Sequence, residues 1–191
     1  DWTGIGNEVT LKNDKTYNFG DRYALSVADK SIVKEGGISK KIDYYEKDLC
    51  FEYDFYTNDK VLDFGGSLLS DSKNIIRLCV KKEKFGYKLG NKFVPLCDIK
   101  LNLWYHVTLK IENGKATIFL NYKEKARDIE VGTQKADFVK MTVGSVATGN
   151  VYFDNIMIQQ LSEEPDDYPS VPVKPEKDTG ALIGIQSCSI W

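Results

Sequence analysis

The sequence predicts an all-β domain, and two observations support this prediction. Apolar and polar side chains alternate in one short segment after another, which is the two-residue period of a half-buried strand. Apolar side chains do not recur at helical spacing over more than about two turns, the length at which that period becomes readable. The pattern therefore favours sheets over a helical architecture.

The clearest element is a hairpin over residues 103–121. Asn113-Gly114 supplies the positive φ angles of a tight two-residue turn, and alternation continues on both sides of it. The apolar face of the first strand consists of Tyr105, Val107, Leu109 and Ile111, and that of the second consists of Ala116, Ile118 and Leu120.

The other segments give about ten short strands in all. Before the hairpin, alternation indicates strands within 8–12, 19–27, 36–42, 48–56, 64–69 and 76–80. After it, strands are predicted within 128–131, 138–143 and 151–158. Residues 85–91 contain two glycines, and they are predicted to form a turn-rich excursion.

The composition changes after Leu161. Residues 162–178 hold four of the five prolines, which is typical of a semi-rigid extended connector. We therefore predict a β-domain over 1–161, followed by a Pro-rich linker and a C-terminal strand or tail over 162–191. Because no basic, apolar signal region precedes Asp1, we expect either that a signal was removed or that this is a module of a larger protein.

Composition limits the classes of partner. The 26 basic and 28 acidic residues give a net charge of −2, so nucleic acid is not an expected partner. No apolar run is long enough to predict membrane insertion. The cysteines Cys50, Cys79, Cys97 and Cys188 form no C-x-x-C pair, which argues against a sulfur-ligated metal. Two disulfides remain possible if the protein is secreted, although free buried thiols are favoured.

The amino-acid sequence of the hairpin resembles that of a known family. W-Y-H-V-T-L-K-I followed by G-K-A-T-I-F-L-N is similar to the central hairpin of concanavalin-like and laminin-G-like jelly rolls. Residues 19–27 resemble a strand near the start of many carbohydrate-binding β-sandwich modules. The resemblance implies an antiparallel β-sandwich and a non-catalytic polysaccharide-binding module of a secreted glycan-degrading or cell-surface protein. It also leaves open a laminin-G-like adhesion domain that binds proteins.

Parity along the strands predicts the sugar surface. Residues between core positions must point away from the core, and they mix charge, hydrogen-bonding groups and aromatic rings, as a sugar site requires. Trp104 opens a core strand and is predicted to pack against other side chains rather than to face a ligand. The predicted surface residues are Glu52, Asp54, Tyr56, Arg77, His106 and Phe119, with Tyr87 and Tyr122 as loop candidates.

The sequence also offers two enzymatic alternatives to binding. Glu52 and Asp54 lie two apart, as in an acid and nucleophile pair, but the resemblance to family-16-type glucanases stops at Thr57, where those enzymes have Glu. His106 is the only histidine, and it could share a sheet face with Arg77, as in jelly-roll polysaccharide lyases. Solvated carboxylates and an ordinary polar histidine are the favoured interpretations, so no catalytic residue is predicted.

A structural calcium ion is a further expectation. Asp154 in Y-F-D-N-I resembles the closing-strand aspartate that helps to hold calcium in many carbohydrate-binding jelly rolls. Calcium prefers six to eight oxygen ligands, so further ligands are needed. Asp21 and Glu8 are the candidates for these. The alternative is an aspartate whose oxygens bond nearby backbone amides.

Overall fold

The computed structural model describes residues 2–6, 9–12, 24–29, 35–42, 48–60, 63–144 and 149–161, and the structural statements below concern these residues. Their regular elements are all strands. The strands are β1 (Trp2–Ile5), β2 (Val9–Lys12), β3 (Ala24–Asp29), β4 (Gly36–Lys41), β5 (Leu49–Tyr56), β6 (Asp63–Ser70) and β7 (Lys73–Lys81). They continue with β8 (Lys84–Leu89), β9 (Lys92–Asp98), β10 (Trp104–Glu112), β11 (Lys115–Leu120), β12 (Lys123–Glu130), β13 (Phe138–Val143) and β14 (Gly149–Gln160).

The strands form two antiparallel sheets of seven strands each. Sheet A has the order β1-β4-β13-β6-β7-β8-β9, and sheet B has the order β12-β11-β10-β5-β14-β3-β2. The prediction of an all-β jelly-roll sandwich is confirmed. Within the described residues, no helix is long and apolar enough to cross a membrane.

The core lies between the two sheets and is rich in aromatic rings. Phe51, Tyr53 and Phe55 of β5 are at most 1% exposed, as the alternation of that strand predicts. The Tyr53 hydroxyl donates to the Leu78 carbonyl oxygen (3.1 Å) and accepts from the Gly66 amide (3.3 Å), so a sheet B side chain is tied to the backbone of sheet A. This buried hydroxyl is therefore satisfied, as burial requires.

The central hairpin is found where the sequence predicts it. β10 and β11 pair from Val107 with Leu120 to Glu112 with Lys115, and Asn113 and Gly114 have φ angles of 51° and 77°. The predicted excursion over 85–91 is wrong, because residues 84–89 form β8 between β7 and β9. Pairing on both sides holds this segment extended despite Gly86.

The described residues test the predictions on the cysteines and on the domain boundary only in part. Cys50, Cys79 and Cys97 are free thiols, and burial raises the pKa of the Cys50 and Cys79 thiols to about 11. Cys188 and the predicted linker and tail over 162–191 lie outside the described residues. The domain boundary at residue 161 therefore stays a prediction.

Candidate functional site

A hydrogen-bonded network crosses the outer face of sheet B, which we call the B face. Asp54 of β5 and His106 of β10 are register partners, and their side chains meet with Nδ1 and Oδ1 2.7 Å apart. The second oxygen of Asp54 accepts from Asn155 Nδ2 at 2.5 Å. The Asp54 side chain is only 8% exposed, and both of its oxygens are used.

The network continues from His106 to Glu52. The Thr108 hydroxyl donates to Glu52 Oε1 at 2.9 Å, and its oxygen lies 3.1 Å from His106 Nε2. Because the hydroxyl proton is directed to Glu52, Nε2 must donate to Thr108, while Nδ1 donates to the Asp54 carboxylate. This arrangement favours the protonated form of the ring. The pKa of His106 is raised accordingly, chiefly by the hydrogen bond to Asp54 and against the effect of burial.

An exposed aromatic ring covers this network. Tyr122 is 80% exposed, and its ring stacks on His106 with centroids 4.6 Å apart and planes 22° apart. It sits in the tight turn between β11 and β12, where Asn121 and Tyr122 have φ angles of 49° and 61°. Asn121 joins this turn to His106, because its amide donates to the His106 carbonyl and its side-chain oxygen accepts from the His106 amide.

A second aromatic group lies further along the B face. Tyr56, Trp104 and Tyr152 pack together, with ring centroids 5.5 Å and 6.0 Å from Tyr56. Tyr56 points away from the core as predicted, but it is only 7% exposed, because its neighbours cover it. Trp104 packs as predicted, but it does so against this outer cluster, since it pairs with Tyr56 and shares its outward face.

Phe119 is on the B face, as parity predicts. It is the register partner of Thr108, and it is partly buried with Lys110 Nζ 6.0 Å from its ring centroid. Glu52, Asp54, His106 and Phe119 are thus brought together on one face. Tyr122 joins them from its turn.

Two predicted site residues lie elsewhere. Arg77 is on β7 of sheet A, so the prediction that it shares a sheet face with His106 is wrong. Both side chains point outward, but from opposite sheets. Arg77 instead forms an ion pair with Asp63 (2.8 Å) and donates to Thr142 (3.1 Å). Tyr87 is a strand residue rather than a loop residue; it is the register partner of buried Leu78 and packs against the core.

The calcium prediction rests on residues that are only partly described. Asp154 Oδ1 accepts from the Asn155 amide at 2.8 Å. Among the described residues, no three His, Cys, Asp or Glu side chains converge as a metal site would require. Asp21 and Glu8 lie outside the described part of the chain. Calcium binding therefore stays a prediction.

Sequence reasoning missed Asn155 and Thr108. Asn155 lies at an irregularity of β14 between Asp154 and Met157, and its φ angle is 49°. An Asp-Asn pair inside an alternating strand is a signal for such a bulge, since asparagine tolerates positive φ. Thr108 was identifiable as an outward position, but alternation does not reveal its hydroxyl partner.

The comparisons with known proteins show the fold. No family model and no curated protein sequence matches this chain. Among solved structures, cellulose induced protein Cip1 has a TM-score of 0.65 at 11% identity, covering 82% of this chain and 88% of that one. The carbohydrate binding module CBM66 from Bacillus subtilis has a TM-score of 0.53 at 14% identity, covering 83% and 95%.

A sialidase also matches, with a TM-score of 0.60 at 14% identity, covering 78% of this chain. This chain spans only 16% of the sialidase's length. Alginate lyases and a carbohydrate esterase share the fold as well. The matched proteins thus include both binding modules and enzymes, and at these identities the likeness concerns the fold alone.

Proposed function

We propose that the chain is a non-catalytic polysaccharide-binding module and that the B face around Tyr122 is its sugar site. The observation that carries this proposal is the exposed Tyr122 ring, held in place by its stack on His106. Sugar rings present apolar C–H faces, and such faces stack on exposed aromatic rings. Because His106 is fixed by hydrogen bonds at both nitrogens, the platform is rigid before a ligand arrives.

Polar groups beside the ring supply hydrogen bonds. The Glu52 side chain is 22% exposed and can accept from a sugar hydroxyl. The Asn155 residue is exposed and lies next to Asp54. An aromatic platform edged by acceptors and donors is the arrangement expected of a glycan surface.

The state of His106 supports binding rather than catalysis. A general base needs a free nitrogen within reach of the proton that it removes, and both nitrogens of His106 already lie in hydrogen bonds, with Asp54 and with Thr108. Arg77, the candidate considered above for a lyase, belongs to the other sheet. We also propose that the module acts outside the cell as part of a larger protein, since polysaccharides are chiefly found there.

A glycan array tests the proposal. The parent protein should bind at least one class of oligosaccharide, and the Tyr122→Ala variant should lose most of that signal. An array on which the parent binds nothing would favour the protein-binding adhesion alternative instead. Incubation with the bound oligosaccharides, followed by product analysis, should show no cleavage. Cleavage that is lost in Glu52→Gln would establish an enzyme.

A further inference from the structure

A second exposed apolar side chain lies on the B face. Met157 of β14 is 39% exposed, and it is the register partner of Glu52. Its chain neighbours Ile156 and Ile158 pack against the core, so the Met157 side chain points outward, as Glu52 does. Four large apolar side chains are well exposed among the described residues, and two of them, Tyr122 and Met157, share this face. The B face therefore has two separate apolar contact points.

The two apolar side chains stand on opposite sides of the polar network. Register pairing puts Thr108, Glu52 and Met157 in one row across β10, β5 and β14. His106, on which the Tyr122 ring stacks, lies two residues before Thr108 in β10. At about 4.8 Å per strand and about 3.4 Å per residue, His106 and Met157 are about 12 Å apart across two strands. This diagonal is longer than a single sugar ring.

Hydrogen-bonding groups lie along the diagonal and at its Met157 end. Glu52 stands on the strand between His106 and Met157, and the Asn155 amide reaches Asp54 on the same strand. Gln159 is exposed, and its side-chain amide donates to the Met157 sulfur. That amide has a second hydrogen and a carbonyl oxygen for sugar hydroxyls. Both ends of the diagonal thus combine an apolar surface with polar partners.

We propose that the sugar site continues from Tyr122 to Met157 and binds several linked units of a polysaccharide, an inference that rests on the proposed function. One sugar ring stacks on Tyr122, the chain crosses Glu52, and the apolar face of a later unit packs on Met157. The flexible, polarizable thioether adapts to an apolar surface of irregular shape. An isolated exposed apolar side chain needs no explanation, but Met157 lies on the same polar strip as Tyr122. The ligand is therefore an oligosaccharide rather than a single sugar residue.

Oligosaccharides of increasing length test this inference. Cello-, xylo- and manno-oligosaccharides from the monosaccharide to the hexasaccharide are neutral, so charge does not contribute, and NMR titration measures weak as well as strong binding. The parent should bind the hexasaccharide of at least one series at least about tenfold more tightly than the monosaccharide, because only the longer chain reaches both contact points. Met157→Gln should bind that hexasaccharide about three- to tenfold more weakly, since apolar contact is lost at one end.

Two control variants separate the Met157 contact from general effects. Met157→Leu keeps an apolar side chain, and Trp2→Gln removes an exposed apolar side chain from sheet A; both should bind the hexasaccharide as the parent does. Melting temperatures show that the variants are folded. The inference is overturned if the parent binds no hexasaccharide, if its affinity does not rise with length, or if folded Met157→Gln binds as tightly as the parent. An equal loss in either control also overturns it.

Failure of this inference is distinct from failure of the proposed function. Tyr122→Ala should weaken binding at every length that the parent binds, because every ligand uses the Tyr122 ring. A loss in Tyr122→Ala without a loss in Met157→Gln would leave the proposed function standing and refute the longer site.

Discussion

Replacing Tyr122 by glycine should separate stability from binding. Tyr122 occupies the left-handed region at φ 61°, which costs a residue with a Cβ about 1–2 kcal/mol. Glycine removes that cost, but the stack on His106, worth about 0.5–1.5 kcal/mol, is lost. The greater freedom of glycine in the unfolded chain destabilises the protein by about another 0.5–1 kcal/mol. The net change in the free energy of unfolding therefore lies between a loss of about 1.5 kcal/mol and a gain of about 1 kcal/mol, which is a shift of at most roughly 6 °C in melting temperature.

Binding should change more than stability. Loss of the stacking platform should weaken affinity for the array-identified oligosaccharide about ten- to a hundredfold, as expected from about 1–3 kcal/mol of stacking and buried area. Calorimetric titration and thermal melting of the same preparations measure both quantities.

Glu83→Gly is the matched control for this experiment. Glu83 occupies a tight turn of sheet A with a φ angle of 60°, and it is exposed. Replacing Glu83 by glycine relieves the same backbone cost without removing a ring. The Glu83→Gly variant should therefore be more stable than Tyr122→Gly by about the value of the ring contact. Glycan affinity should stay at the parental level. Unchanged affinity in Tyr122→Gly, or an equal loss in Glu83→Gly, would refute the role assigned to Tyr122.

Three further predictions concern His106, Asp154 and Glu52. Folding raises the pKa of His106, so the protonated ring stabilises the folded state. This stabilisation is fully present below the unfolded-state pKa of about 6.5, and it is lost as the pH rises through the folded-state pKa. The melting-temperature gap between parent and His106→Gln should therefore be wider at about pH 5.5 than at about pH 8.5, and a pH-independent gap would contradict the ion pair. If Asp154 helps to hold calcium, added calcium should raise the melting temperature of the parent but not of Asp154→Asn, and an unchanged parent would remove the metal. Glu52→Gln should bind glycan more weakly while neither it nor the parent releases reducing ends, and release by the parent would refute the non-catalytic assignment.

The alternation of the sequence identified the face of each strand but not its sheet. His106 and Arg77 both stand between core positions, and both point away from the core as predicted. A two-residue period distinguishes inside from outside, and it contains nothing about which of two stacked sheets a strand joins. That choice depends on pairing between distant segments, such as β13 with β6, which a single sequence does not reveal. The predicted lyase-like pairing of His106 with Arg77 failed for this reason.

The turn at Tyr122 carries a sequence signal that alternation alone does not contain. Asn121-Tyr122 joins two alternating strands by two residues with positive φ, as Asn113-Gly114 does earlier in the chain. At the second position glycine has no steric cost, whereas an aromatic residue has one. Positive φ alone is not a functional signal, since Glu83 also shows it in an ordinary turn. An aromatic ring at such a position, exposed and beside a polar strand residue, is a stronger signal, because neither turn geometry nor burial requires it. Tyr122 meets both conditions, and this is why the proposed site is centred there rather than on the buried Tyr56.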